Sequence, residues 1–345
     1  MDFLKIIAIY MILFNHTGTK GFVLFTVKQD SPLFFFYLFN TIFIKVAVQL
    51  FFMTSGALLL DKEESLKRVV VNRFMKYLLV LIVCSLLQYA YACYNSDSQV
   101  FTLSTFFIRL YTRQLSNAYW YLYAYLAYIL MLPFLRRLAK SMNEKEYLWM
   151  IFLYGFINVL SIIEYVIWKG EYTHNSHFNF FISSIYVFYP LLGYYLDRVM
   201  SEKFNSWKTI VVLSLLSIVS IVICCLMTIL KCETIGEWTE ATCQTFFCTL
   251  IFIPSAAVYL GAKMWFQRFE PKERTSKVIS TLGGLTFGIF LIENICRKET
   301  QQIFYVLEPY INTLPACWIW ILAACLFGAA VTYLLKLIPG VKNYI

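Results

Sequence analysis

Residues 209–230 read TIVVLSLLSIVSIVICCLMTIL, a stretch as long as a membrane-crossing helix with no charged side chain in it. An unbroken apolar run of about 18 residues or more is long enough to span the hydrocarbon core of a bilayer. Inside that core each segment must satisfy its own peptide groups, so a chain built from such runs folds as helices. Similar runs recur along all 345 residues, which are 60% hydrophobic and only 14% charged. Ordinary soluble domains carry about 25% charged residues. With a mean hydropathy of +0.66 over the full length, the chain is not one water-soluble core. The expectation is an all-α, polytopic transmembrane helical bundle forming a single integral membrane domain over residues 1–345.

Ten spans can be marked, at 3–22, 34–60, 74–94, 117–135, 147–168, 178–196, 208–231, 243–266, 280–297 and 315–338. The first could pass for a signal peptide, but its polar end, Asn15-His16-Thr17, offers no small-residue cleavage site, so it is read as a retained span. No linker rich in Gly, Ser or Pro divides the chain, and no internal repeat is evident.

Loop charge orients the spans. Lys62, Lys67, Arg68, Arg73 and Lys76 cluster around the second-to-third connection, and Arg136, Arg137, Lys140 and Lys145 in the fourth-to-fifth. Arg198, Lys203 and Lys208 occupy the sixth-to-seventh, and Lys263, Arg268, Lys272, Arg274 and Lys277 the eighth-to-ninth. With Lys5, Lys336 and Lys342, that side holds twenty basic residues against eight on the other. Positive charge is retained on the cytoplasmic face, so both termini are expected in the cytoplasm of a multi-pass plasma membrane protein. The net charge of +9 is then an orientation signal and calls for no nucleic acid; the bilayer itself is the expected surroundings.

Ionisable residues inside spans are costly unless paired or hydrated. Four stand out: His16, Lys45, Glu164 and Glu293. Lys45 can bend its stem toward a surface, Glu164 lies near a span end, and Glu293 stands four residues before Arg297, a spacing that allows an ion pair on one helix. His16 can exchange a proton near neutral pH. It follows Lys5 by eleven positions; eleven steps of about 100° return to nearly the same helix face, about 16 Å further along. His174 and His177 share a loop without a companion Cys or carboxylate cluster, so no metal is expected. Cys232 and Cys243 flank one short polar loop and are able to pair in an oxidising compartment.

Four stretches occur in order: DFLKIIAIYMILFNH at 2–16, IKVAVQLFFMTSGALLL at 44–60, AYWYLYAYLAYILMLPFLRRL at 118–138 and LGGLTFGIFLIE at 282–293. Together they resemble the acyltransferase-3 family of integral membrane acyltransferases. The resemblance implies transfer of an acyl group, acetyl by family prevalence, from cytoplasmic acyl-CoA (acetyl-CoA) to a surface or lipid-linked carbohydrate. It implies catalytic roles for His16, as general base or acyl carrier, and for Lys5, with Ser55 of the FFMTSG stretch as a second nucleophile or hydrogen-bond partner or as a small residue in helix packing. Arg73, Lys76 and Lys45 would bind the donor; Trp120, Tyr121 and Glu293 would lie along the substrate path, unless Trp120 and Tyr121 serve as interfacial anchors. Departures are Lys at position 5 where Arg is usual, Gln49 in place of a proline, Lys76 in place of an arginine, and Glu293 where many members have histidine. On composition alone a carrier or flippase for a small polar molecule or lipid-linked sugar ranks higher. Such carriers show matched helix interruptions in two halves, and the spacing of Gly18, Gly56, Gly155, Gly193 and Gly283-Gly284 has no such symmetry.

Overall fold

The computed structural model describes residues 1–95, 101–178, 180–204 and 206–344. The side chain of Lys203, counted above in the sixth-to-seventh connection, lies outside the described part, as does Asn179 within the expected sixth span. Every regular element among the described residues is helical. The α-helices are α1 (Asp2–Asn15), α2 (Phe34–Ile44), α3 (Val46–Leu59), α4 (Leu66–Arg68), α5 (Met75–Tyr94), α6 (Leu103–Thr112), α7 (Trp120–Ser141) and α8 (Glu144–Trp168). They continue with α9 (Ile185–Tyr194), α10 (Trp207–Ile235), α11 (Glu240–Cys243), α12 (Phe252–Arg268), α13 (Glu273–Leu291), α14 (Glu293–Glu299), α15 (Gln302–Leu307) and α16 (Thr313–Lys336). Two π-helical turns, Val69–Phe74 and Tyr195–Val199, join α4 to α5 and extend α9.

Six helical segments are long and apolar enough to cross a membrane, or seven if the bent pair Glu273–Leu291 and Glu293–Leu307 counts as one. The chain is a multi-pass membrane protein. The remaining three of the ten expected spans are present as shorter helices. The first stops at Asn15, because Gly18 enters the left-handed region at φ +56° and Thr17 turns its hydroxyl onto the Phe14 carbonyl, 2.7 Å away. The sixth becomes regular only at Ile185, and the eighth only at Phe252. In the eighth, Pro254 falls in the first turn, where its missing N–H costs no helical hydrogen bond. The ninth is cut at Ile292, where the two helices bend by 86°.

Start signals elsewhere are local. Asn143 caps α8 with a reciprocal Glu146 contact, and that helix ends at Lys169 in the left-handed region. Ser206 caps α10, which ends at Gly236 at φ +78°. One stripe of α10 is buried, through Ile221, Cys224, Cys225, Thr228 and Cys232, while Val211, Leu215, Val219 and Leu226 face outward. An apolar exterior of this kind faces lipid. The thiols of Cys232 and Cys243 hydrogen-bond each other; both are buried and both are free. Glu164 accepts the His174 backbone N–H at 3.1 Å and contacts its ring Nδ1 at 3.0 Å, so the expected loop histidine and span-end glutamate satisfy each other.

The core is organised around α1, which packs on α3, α13 and α16. Beside it α3 and α9 cross at backbone contact. A Cβ on Gly56 would overlap the Pro190 carbonyl, and one on Gly193 would overlap that of Met53. Gly56, not Ser55, is therefore the residue that permits this approach. At one end of the bundle the basic connections gather. Lys140 pairs with Glu63 at 3.1 Å, Ser201 donates to Glu144 at 2.9 Å, and Lys263 donates to the Leu196 carbonyl at 2.8 Å.

Candidate active site

His16 is the residue on which α1 ends, with φ −102° and ψ 15°. The last carbonyls of a helix lack intrahelical partners. The carbonyl of His16 itself accepts a hydrogen bond from Nη1 of Arg297 at 2.7 Å. The same guanidinium donates from Nε to Oε2 of Glu293 at 2.6 Å. The other carboxylate oxygen, Oε1, lies 3.4 Å from Nδ1 of the His16 ring, within ion-pair range though long for a hydrogen bond. Arg297 thus holds the backbone of His16 and the carboxylate facing its ring at once.

This arrangement depends on the break between α13 and α14. Were the helix continuous, Glu293 would stay on the α13 axis; the 86° bend places it at the first turn of a new direction, only 2% exposed. A break frees carbonyls that need donors. The hydroxyl of the buried Tyr119 supplies one, donating to the Leu291 carbonyl at 2.6 Å. Further along, Trp320 Nε1 donates to the Arg297 carbonyl at 3.1 Å.

Two cavities flank α1. The one at its His16 end has a volume of about 190 Å³ and is lined by Asn15, His16, Lys45, Gln49, Trp120 and Tyr189, among others. The one toward its Lys5 end has a volume of about 310 Å³ and takes in Lys5, Ser55, Arg73, Tyr77 and Tyr125. Ile12, Tyr121 and Phe290 line both, so the two cavities adjoin at these three side chains. The Tyr121 and Phe290 rings meet edge to face, 5.6 Å apart. With Nδ1 turned to Glu293, the opposite ring nitrogen of His16, Nε2, has no hydrogen bond among the described residues and belongs to a side chain that lines the first cavity.

At the outer mouth of the second cavity lies a charge cluster. Glu64 receives Nε and Nη2 of Arg73 at 2.8 and 2.7 Å, a two-pronged contact, and Nη2 of Arg136 at 2.7 Å. Arg136 also donates to the Leu59 carbonyl at 3.0 Å. Arg73 sits in the π-helical turn Val69–Phe74; the extra residue of such a turn re-aims side chains and is frequent at functional sites. Covered by arginines, the Glu64 carboxyl is held down to about 2, first through its hydrogen bond from Arg73. Arg68 and Lys76 complete the cluster, and Lys76 Nζ stands 5.9 Å from the Tyr77 ring centre. Lys5 is paired with Asp2 at 3.0 Å.

Residues 1–337 match the model of a family described as "Acyltransferase domain". The chain belongs to the acyltransferase-3 family. No curated protein and no solved structure matches it. For this acyltransferase, the expected site residues divide between the two cavities. His16, Trp120 and Tyr121 line the first, Lys5, Ser55 and Arg73 the second, and Arg73 and Lys76 its outer mouth.

Two placements differ from the sequence expectation. Lys45, grouped above with Arg73 and Lys76, lies in the His16 cavity instead, at the junction of α2 and α3 with its ammonium over the Phe22 and Phe247 rings. Glu293, expected along the substrate path, stands against the His16 ring and pairs with Arg297; it does not line either cavity. Ser55 makes no hydrogen bond to His16 and lies beside the hydroxyls of Tyr121 and Tyr125. Sequence reading saw Arg297 only as the helical partner of Glu293 and missed its bond to His16, which joins residues 281 positions apart. It also missed Asn15, Glu64 and Arg136. The i,i+4 spacing of Glu293 and Arg297 was the only available signal.

Proposed function

We propose that this acyltransferase moves an acyl group, acetyl in the first instance, from acyl-CoA to a hydroxyl of a surface or lipid-linked carbohydrate, with His16 as the proton-accepting base. The observation that carries this reading is the pair of cavities that adjoin at Ile12, Tyr121 and Phe290. A donor and an acceptor arriving from opposite sides need two entrances and one point of contact. At about 310 Å³ the second cavity is at the small end of the range usual for ligand sites, ~300–1,000 Å³. It suits the thioester-bearing tail of acyl-CoA, while Arg73 and Lys76 attract the phosphates outside. Glu64 holds the Arg73 guanidinium in place for that contact without cancelling the surrounding positive charge.

In the transfer, the acceptor hydroxyl gives its proton to Nε2 of His16 as its oxygen bonds the acyl carbon. The carbon–sulfur bond breaks, and CoA leaves as a thiolate that takes up a proton. Glu293 faces the ring and stabilises the imidazolium that forms, and Arg297 holds Glu293 in place. Orientation follows the charge bias: both termini cytoplasmic, in the plasma membrane. On this reading α1, α9 and α12 are counted as crossings beside the seven candidate spans, ten in all, with Lys5 and Arg73 facing the donor.

A carrier is the second reading, favoured by the broken helix at Ile292, a feature of transporter sites. Labelled acetyl-CoA separates the two. Supplied to the cytoplasmic face of membranes expressing the protein, it should pass label into extracted glycan or lipid-linked sugar, and His16→Ala should abolish that transfer in a correctly inserted chain. If no fraction gains label, or His16→Ala transfers normally, the acyltransferase mechanism is misassigned and the carrier leads.

A further inference from the structure

The cavity that holds His16 also holds a cation with no carboxylate. Lys45 lies well inside the Phe34–Leu59 span, at the joint between α2 and α3. Its Nζ stands 4.5 Å from the Phe22 ring centre and 5.7 Å from that of Phe247. Among the described residues it makes no hydrogen bond and no ion pair. Glu240, the carboxylate acting on it from the outer connection, is exposed and beyond ion-pair distance. The other cations that line the two cavities each have a carboxylate partner, Arg73 in Glu64 and Lys5 in Asp2, and Arg297 behind His16 has Glu293. Two aromatic faces do not neutralise a charge at membrane depth, where an unpaired ion costs several kcal/mol.

A second observation lies in the same cavity. The side-chain oxygens of Asn15 and Gln49 are buried without hydrogen-bond partners, and both residues line it. Buried polar atoms are ordinarily satisfied, so open acceptor oxygens beside an unmatched cation mark a place shaped for a ligand that offers hydroxyl donors to the two amides and a negative group to Lys45. The volume of about 190 Å³ admits one sugar residue rather than a length of polymer.

We propose that Lys45 is the anion subsite of the acceptor: the accepted sugar residue carries a negative group, a carboxylate or a phosphate, which Lys45 binds while the amides of Asn15 and Gln49 bond its hydroxyls. Calling this ligand the acceptor rests on the acyltransferase reading above; the anion selectivity itself does not.

The test uses the full chain in nanodiscs and saturation-transfer NMR with three probes, glucuronate, glucose 1-phosphate and glucose. Either anion is expected to bind roughly tenfold better than glucose, a ratio ordinary for one charge contact. Preference for glucuronate indicates an acidic sugar, and preference for the 1-phosphate a phosphosugar. The preference should vanish in Lys45→Met, survive in Lys45→Arg, and be untouched by Lys28→Met, which removes an exposed cation that lines neither cavity. A Lys45→Arg variant that loses the preference would mean that Lys45 acts neutral, and overturns the subsite, as does equal binding of all three probes or a preference that persists in Lys45→Met. Should Lys45→Met fail to fold, Lys45→Gln is read in the same way. Acetyl transfer is followed in parallel. Anion preference without transfer keeps the subsite and removes the transferase reading; transfer at equal kcat/KM to neutral and anionic acceptors does the reverse.

Discussion

Arg297 grips His16 by its carbonyl, 2.7 Å from Nη1, and grips the carboxylate that faces the His16 ring, 2.6 Å from Nε. One guanidinium therefore fixes both the position of the histidine and the charge that faces its ring. The pair joins the end of α1 to the start of α14 across the break at Ile292.

Removing the carboxylate tests the proton-handling role. Glu293→Gln is expected to lower the rate of acetyl transfer by roughly 10²-fold or more, the low end of what a positioned base contributes. KM for acetyl-CoA should hardly move, since the proposed function has that co-substrate enter the other cavity. Steady-state kinetics on the purified protein decide it, and an unchanged kcat would end the claim that Glu293 acts through His16.

Removing the guanidinium is a stability experiment. Arg297→Met strands a buried carboxylate, at a cost of about 3–5 kcal/mol. Adding Glu293→Leu removes the stranded charge, so the double variant should recover much of the thermal stability while staying inactive. Thermal unfolding in detergent, read beside the transfer assay, separates the two effects. Recovery of activity in the double variant would contradict the assignment.

The crossing of α3 and α9 should tolerate no Cβ. Gly56→Ala and Gly193→Ala each press a methyl into the facing backbone, and overpacking of this kind costs about 1–3 kcal/mol. Ser55→Ala, one residue away, should be nearly neutral for folding. Comparing the three unfolding midpoints checks whether Gly56 or Ser55 sets the packing.

Acid should loosen the charge cluster at the mouth of the second cavity through Glu64. Its carboxyl is held at about 2 against an ordinary 4.5. The folded state therefore gains stability that is complete above about pH 4.5 and drains away as the pH falls toward 2. Glu64→Gln should remove that part of the acid dependence and cost about 1–2 kcal/mol at neutral pH. Unfolding midpoints between pH 3 and 7 provide the comparison, and parallel curves for the two proteins would show that the Arg73–Glu64 contact carries no stability.

What the sequence determined by itself was local or additive. Helical class, membrane residence and several helix ends follow from apolar run length, capping residues and left-handed glycines, each of which acts within a few positions. Pairing of Glu293 with Arg297 was legible because one helical turn joins them. The order of the four motif stretches was enough to point to the family.

The tertiary structure alone decided which side chains share a space. His16 meets Glu293 and Arg297 only because α13 breaks at Ile292 and turns by 86°, and a break cannot be read from an apolar run that passes straight through it. Lys45 lies with His16 and not with Arg73 because the packed helices bring the α2–α3 joint to the Phe22 and Phe247 rings. Run length counts residues along one axis; the cavities are set by where separate axes cross, and that depends on backbone contacts such as Gly56 against Pro190, which only the packed helices create.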